Sequence, residues 1–162
     1  MKTLLLLRHA KSDWNDPMQS DFDRPLNARG RDDAPKLGKW ISKKHPPNKV
    51  ICSSAARTQE TLELASLNVP VEFYRGLYHA SSGELLSYIH KTELEIDQLL
   101  VIAHNPGIGS LAYRLVSDEP DDNNFISFPT AACAVIQFEI DNWNDMKYED
   151  GKLIDFTIPK DQ

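Results

Sequence analysis

The stretch TLLLLRHAKSDW, residues 3–14, decides the fold. Four leucines, Leu4 to Leu7, run directly into Arg8 and His9 with no turn residue between. A short continuous apolar run is the pattern of a strand buried on both faces, as in a parallel sheet covered by helices. Such a strand has no packing use for a cation and an imidazole at its end. In open parallel sheets, ligand sites lie just beyond the carboxyl ends of the strands.

A second stretch repeats the pattern. LLVIAHN, residues 99–105, is again an apolar run that delivers a histidine, His104, at its carboxyl end. One such histidine can be a satisfied group at a strand end. Two at equivalent ends, one preceded by Arg8, point to a shared site.

Between and beyond these strands the chain alternates. A long polar loop runs from Ala10 to Leu26, and loops of that length in compact domains are usually functional or disordered. NARGRDDAPKLGKWISKKH reads as a helix starting near Asn27, or at Asp33 with Pro35 in its first turn. KVICS reads as a strand, ARTQETLELAS as a helix and VEFY as a short strand. SGELLSYIHK reads as a helix capped by Ser82, QLLVIAH as a strand and IGSLAYRLVS as a helix. ACAVIQFEI reads as an edge strand and KLIDFTI as a last strand. This rhythm implies a mainly parallel sheet covered on both faces.

Composition sets the outer bounds. The 162 residues suit a single domain, 1–162, with a sizeable core. A formal net charge of −6 without a basic run argues against nucleic acid or an anionic membrane as partner. The apolar run ending at Leu7 is too short for a signal peptide, and no stretch reaches membrane-spanning length. Two separated cysteines, Cys52 and Cys133, fit a reduced, cytoplasmic protein. The five histidines show no paired metal-ligand spacing. CSSAART has one residue too few, and no glycine, for the loop of a cysteine phosphatase. NPGIGS is not a dinucleotide fingerprint.

Arg57 opens a helix, where a cation opposes the dipole unless an anion binds beside it. Arg24 closes the long loop in DFDRPLN. At this point four motifs stand in order: LRHAKS, RPLNARG, SSAARTQET and VIAHNPG. Together they resemble the histidine phosphatase superfamily, which also holds the phosphoglycerate mutases. RPL after the first loop, GLYHASSGELL and the short length are most similar to its SixA-type branch, the phosphohistidine phosphatases.

The resemblance implies a three-layer α/β/α sandwich with a mainly parallel sheet and an antiparallel edge strand. It implies His9 as a nucleophile that is phosphorylated and then hydrolysed, with Arg8 and Arg57 neutralising phosphoryl oxygens and His104 donating to one. Arg24, Asp21, His79 and Asn105 fall at substrate-binding positions. No metal or other cofactor is required, because the arginines supply the positive charge. Those arginines should also depress the pKa of His9 by like-charge repulsion.

One element of the pattern is missing. Broad phosphatases and mutases of the superfamily carry a glutamate proton donor after the third strand, where this chain has YRGLYHASSGE. His79 falls near that position, while Glu84 reads as a first-turn helix residue. Asp21 is a second donor candidate, with a solvated loop carboxylate as its alternative; His79 can equally be a packing residue. Expelling an alkoxide needs a general acid, whereas a phosphorylated imidazole can leave neutral. The expected substrate is therefore a phosphohistidine-bearing protein. A small phosphorylated molecule is the alternative within the superfamily, and a non-catalytic phosphate-binding module the alternative outside enzymes. A monomer is expected.

Overall fold

A computed structural model describes residues 1–162. Strands β1 (Lys2–Arg8), β2 (Lys49–Ser53), β3 (Val71–Tyr74), β4 (Gln98–Ala103), β5 (Cys133–Phe138) and β6 (Lys152–Thr157) form one sheet. Its strand order is β3-β2-β4-β1-β5-β6. The first four run parallel, and β5 pairs antiparallel with both β1 and β6.

Helices α1 (Ala28–Lys44) and α2 (Ala56–Ala65) pack together on one face, and α3 (Ser82–His90) and α4 (Gly107–Leu115) on the other. A short helix α5 (Asn123–Ser127) leans on α4. The leucine run is the hinge of both layers. Leu4 and Leu6 join a core with Ile108 and Leu111, while Leu5 and Leu7 join another with Leu37, Ile41 and Leu62. Each fully buried leucine contributes about 2 kcal/mol, so β1 is a rigid mount.

Local details refine the sequence reading. α1 starts after Asn27, whose side chain accepts from the Gly30 amide, and runs through Pro35 in its interior. Pro35 costs one backbone bond there. α3 is capped by Ser81, one residue before the serine expected, in a capping box closed by Glu84. Residues 133–138 are not the outermost strand. β6 covers them, so they face both layers, which is why their alternation is weak. α5 begins at the end of the acidic stretch SDEPDDNNF, residues 117–125, and runs past it to Ser127. No helix is long and apolar enough to cross a membrane.

Candidate active site

Register brings the two histidines together. Arg8 pairs with Ala103 across β1 and β4, so the next residues, His9 and His104, leave adjacent strands side by side. Their ring centroids are 5.2 Å apart and both are buried. His9 Nδ1 lies 2.7 Å from the Ala10 carbonyl, which can only accept, so Nδ1 carries the proton and Nε2 the lone pair. Arg57 Nε donates to that lone pair at 3.3 Å.

Burial is the main reason the His9 pKa falls to about 3. The charges of Arg57, Arg8 and Arg24 add to it, against the opposing bond to Ala10. The repulsion expected from sequence is thus real but secondary. His104 also falls to about 3, again through burial first, then through His9 and Arg57. Two neutral imidazoles therefore share one pocket near neutral pH.

His104 Nε2 sits 2.8 Å from Ser53 Oγ at the end of β2, and its Nδ1 is buried without a partner in the protein. Arg8 Nη1 donates to the Phe128 carbonyl at 3.1 Å. Five buried side-chain polar atoms in the chain lack a partner. Three of them, Arg8 Nε, Arg24 Nε and His104 Nδ1, belong to this site. Each such atom costs about 1–3 kcal/mol, a cost that a polar ligand would remove.

The long loop supplies the remaining charge. Its ends are clamped by the Ser12–Leu26 bridge and by Asn27 N donating to the Lys11 carbonyl at 3.0 Å. Gly30 permits this: a Cβ there would strike the Lys11 backbone. Phe22 lends its carbonyl to the Ala56 amide at 3.0 Å, satisfying the start of α2, which has no side-chain cap.

Asp21 then bridges the cations. Its carboxylate accepts from Arg24 Nη2 at 2.6 Å, from Arg57 Nη2 at 3.1 Å and from the Tyr78 hydroxyl, while its carbonyl takes Arg57 Nη1 at 2.7 Å. Partial burial disfavours that charge. The bonds from Arg24 and Tyr78 and the Arg57 charge outweigh it and hold the carboxyl well below the usual range.

Two of the expected positions also make contacts within the protein. Three donors hold Asp21 ionised as the resident counter-ion of Arg24 and Arg57, which sets it against the donor role. Asn105 lines the cavity beside His104 and is braced at the same time. Its Nδ2 donates to the Ser127 and Phe128 carbonyls and its Oδ1 accepts from Gly109. His79 stacks on Tyr78, with ring centroids 3.8 Å apart, and lines a cavity of about 460 Å³ that opens from Arg57 and His104. Ser81, Ser82 and Ser110 line the same cavity. Gly107 lets α4 approach its wall, since a Cβ would strike the Ala80 carbonyl.

Three contributors escaped the sequence reading. Ser53 holds His104, and Ser12 accepts from Arg24 Nη1. Tyr78 packs edge-on against His104 at 5.5 Å. Tyr78 stands directly before His79 in GLYHASSGE. In the loop, Trp14 covers the Arg24 guanidinium at 3.5 Å and Phe22 packs edge-on against Tyr78 at 5.0 Å.

Comparison with known proteins places the chain in a family. The family model of the histidine phosphatase superfamily (branch 1) matches residues 4–95. An uncharacterized protein of Mycobacterium tuberculosis is 31% identical over 160 residues, covering 95% of this chain and 100% of that protein. Among solved structures, one from Nakamurella multipartitia, provisionally named the phosphohistidine phosphatase SixA, superposes with a TM-score of 0.85 at 26% identity. It covers 98% of this chain and 96% of its own. A second, from Agrobacterium tumefaciens and provisionally named in the same way, superposes with a TM-score of 0.79 at 26% identity over 98% and 99% of the two chains.

Proposed function

This chain belongs to the histidine phosphatase superfamily, in its SixA-type branch, and on that premise we propose that residues 1–162 act as one catalytic domain removing phosphate from phosphohistidine on a protein. One observation carries the reading. A neutral, buried His9 presents its Nε2 lone pair toward Arg57, beside His104 and within a ring of guanidinium groups.

In this reaction Nε2 attacks phosphorus while the P–N bond to the substrate imidazole breaks. The electron pair leaves on that imidazole, which departs neutral when its other nitrogen already holds a proton. Arg57 Nε turns from Nε2 to a phosphoryl oxygen. Arg8, Arg24 and His104 contact the others, each charge-assisted bond contributing about 1.5–3 kcal/mol. Water then attacks the phosphorus on His9; the P–Nε2 bond breaks, its electron pair returns to Nε2, and the water proton leaves with phosphate. The Nδ1–Ala10 bond holds the tautomer through both steps.

The absence of a protonated carboxyl beside the site supports the substrate class. Asp21 is ionised, and the Glu84 side chain is turned back to the Ser81 amide. A leaving group that needs strong general-acid help would lose a factor of about 10²–10⁴ here.

Labelled phosphoramidate or a phosphohistidine protein tests this directly. Acid-labile label should appear on His9, and His9→Ala should lose turnover by orders of magnitude. Unchanged turnover in His9→Ala would reject the mechanism. Faster hydrolysis of an alkyl phosphate than of phosphohistidine would favour the small-molecule reading.

A further inference from the structure

The catalytic cavity does not end at Ser110. A second cavity, of about 390 Å³, shares Asn105, Pro106 and Ser110 with it and continues between α4 and α5. Its floor is Gly109, and its walls are Tyr113 and Ile126. Those side chains are 43% and 52% exposed, although Ile126 sits directly after the fully buried Phe125. The groove thus offers apolar anchors about one helical turn from the catalytic cavity, since Ser110 and Tyr113 are neighbours on α4.

Its outer flank is acidic. Asp118, Glu119, Asp121 and Asp122 are all exposed, and none has an ion-pair partner. Glu119 lies against the Tyr113 hydroxyl, and Asp122 caps α5 one turn before Ile126. Arg114, the cation on α4, lines a separate cavity with Glu119 and Tyr148, where Nη1 donates to Ser82 Oγ and the guanidinium covers Tyr148 without pairing to a carboxylate.

We propose that this groove docks a basic, apolar segment of the phosphoprotein substrate, lying beside the phosphorylated residue; the proposal rests on the function proposed above. The charge selects the occupant. Four unpaired carboxylates repel an anionic lipid surface, and a second copy of a chain with formal charge −6 would meet the same repulsion. A lysine or arginine near an apolar side chain meets both the flank and the floor. Small phosphorylated molecules fill the catalytic cavity without reaching Ile126. The groove therefore sets KM for protein substrates and leaves the chemical step alone.

The test compares three substrates: phosphoimidazole, a phosphohistidine peptide with leucine and two lysines within eight residues, and the same peptide with glutamates for lysines. The variants are Ile126→Asp and the triple change Asp118→Lys, Glu119→Lys, Asp121→Lys, which spares the cap Asp122. The wild type should favour the lysine peptide over the glutamate peptide in KM by about tenfold, a preference that weakens with salt. Each variant should erase that preference with kcat unchanged, while intact phosphoimidazole turnover reports a folded site. Equal KM for the two peptides in the wild type, or a preference that survives both variants, would overturn the proposal. If the wild type hydrolyses none of the three, the functional reading fails instead. Anisotropy of the labelled, unphosphorylated lysine peptide then decides the groove: binding lost in the triple variant supports it, and equal binding overturns it. A stable dimer broken by Ile126→Asp would also overturn it.

Discussion

Acidification from pH 7 to pH 5 should destabilise this protein through two histidines. His9 and His104 titrate at about 3 in the folded chain, against about 6.5 when unfolded. Between those values the unfolded chain binds more protons, so stability rises with pH and falls as pH drops through 6.5. For one such group, moving from pH 7 to pH 5 removes about 2 kcal/mol, and for the pair about 4 kcal/mol. Protonating either ring discourages the other, which keeps both neutral across this window. Asp21, Glu72 and Glu93 are held low, so their contribution is lost mainly below about pH 5 and adds little to the histidine signal. Urea unfolding at pH 7, 6 and 5, followed by circular dichroism, measures the slope. His9→Ala and His104→Ala should each remove about half of it, whatever they do to absolute stability. A wild-type stability flat from pH 7 to 5, or a full slope in either single variant, would refute the claim that these imidazoles are buried neutral.

Two substitutions probe the surrounding contacts. Asp21→Asn removes the carboxylate that competes for Arg24 and Arg57, so inorganic phosphate should bind about tenfold tighter by calorimetry, the scale of one charge-assisted hydrogen bond. Weaker phosphate binding would show that Asp21 orients the arginines rather than competing with the ligand. Ser53→Ala strips His104 Nε2 of its partner and should lower kcat by about tenfold or more with a smaller change in KM; an unchanged kcat would reduce Ser53 to a packing role.

What could be read from the sequence follows from the geometry of parallel strands. In such a sheet the phrase "last residue of a strand" translates into a place, so LLLLRH and LLVIAH put His9 and His104 side by side once the strands are neighbours. Arg57 was legible for a similar reason, because a cation in the first turn of a helix conflicts with the dipole unless something anionic resolves it. The cap of α3 was equally written in the chain. SSGE offers two serines, but only Ser81 stands three residues before Glu84, as a capping box requires. α5 was hidden because five residues carry no measurable period; KLIDFTI was legible as the last strand, and only its place outside β5 was not, since no pattern within it fixes its neighbour.

The site's charge balance lies beyond any reading of spacing. The sequence shows three arginines near a histidine, and repulsion among like charges is the natural deduction. The folded chain answers with Asp21, drawn in by the path of a loop whose ends meet at Ser12 and Leu26, so that two of the cations are already partnered. What remains to depress His9 is mainly the removal of water, the product of packing on every side of β1. The same burial that makes Leu4 to Leu7 a rigid mount therefore also keeps the imidazole at its end unprotonated. A polar substitution within that leucine run would disturb the chemistry even where it spared every residue of the pocket.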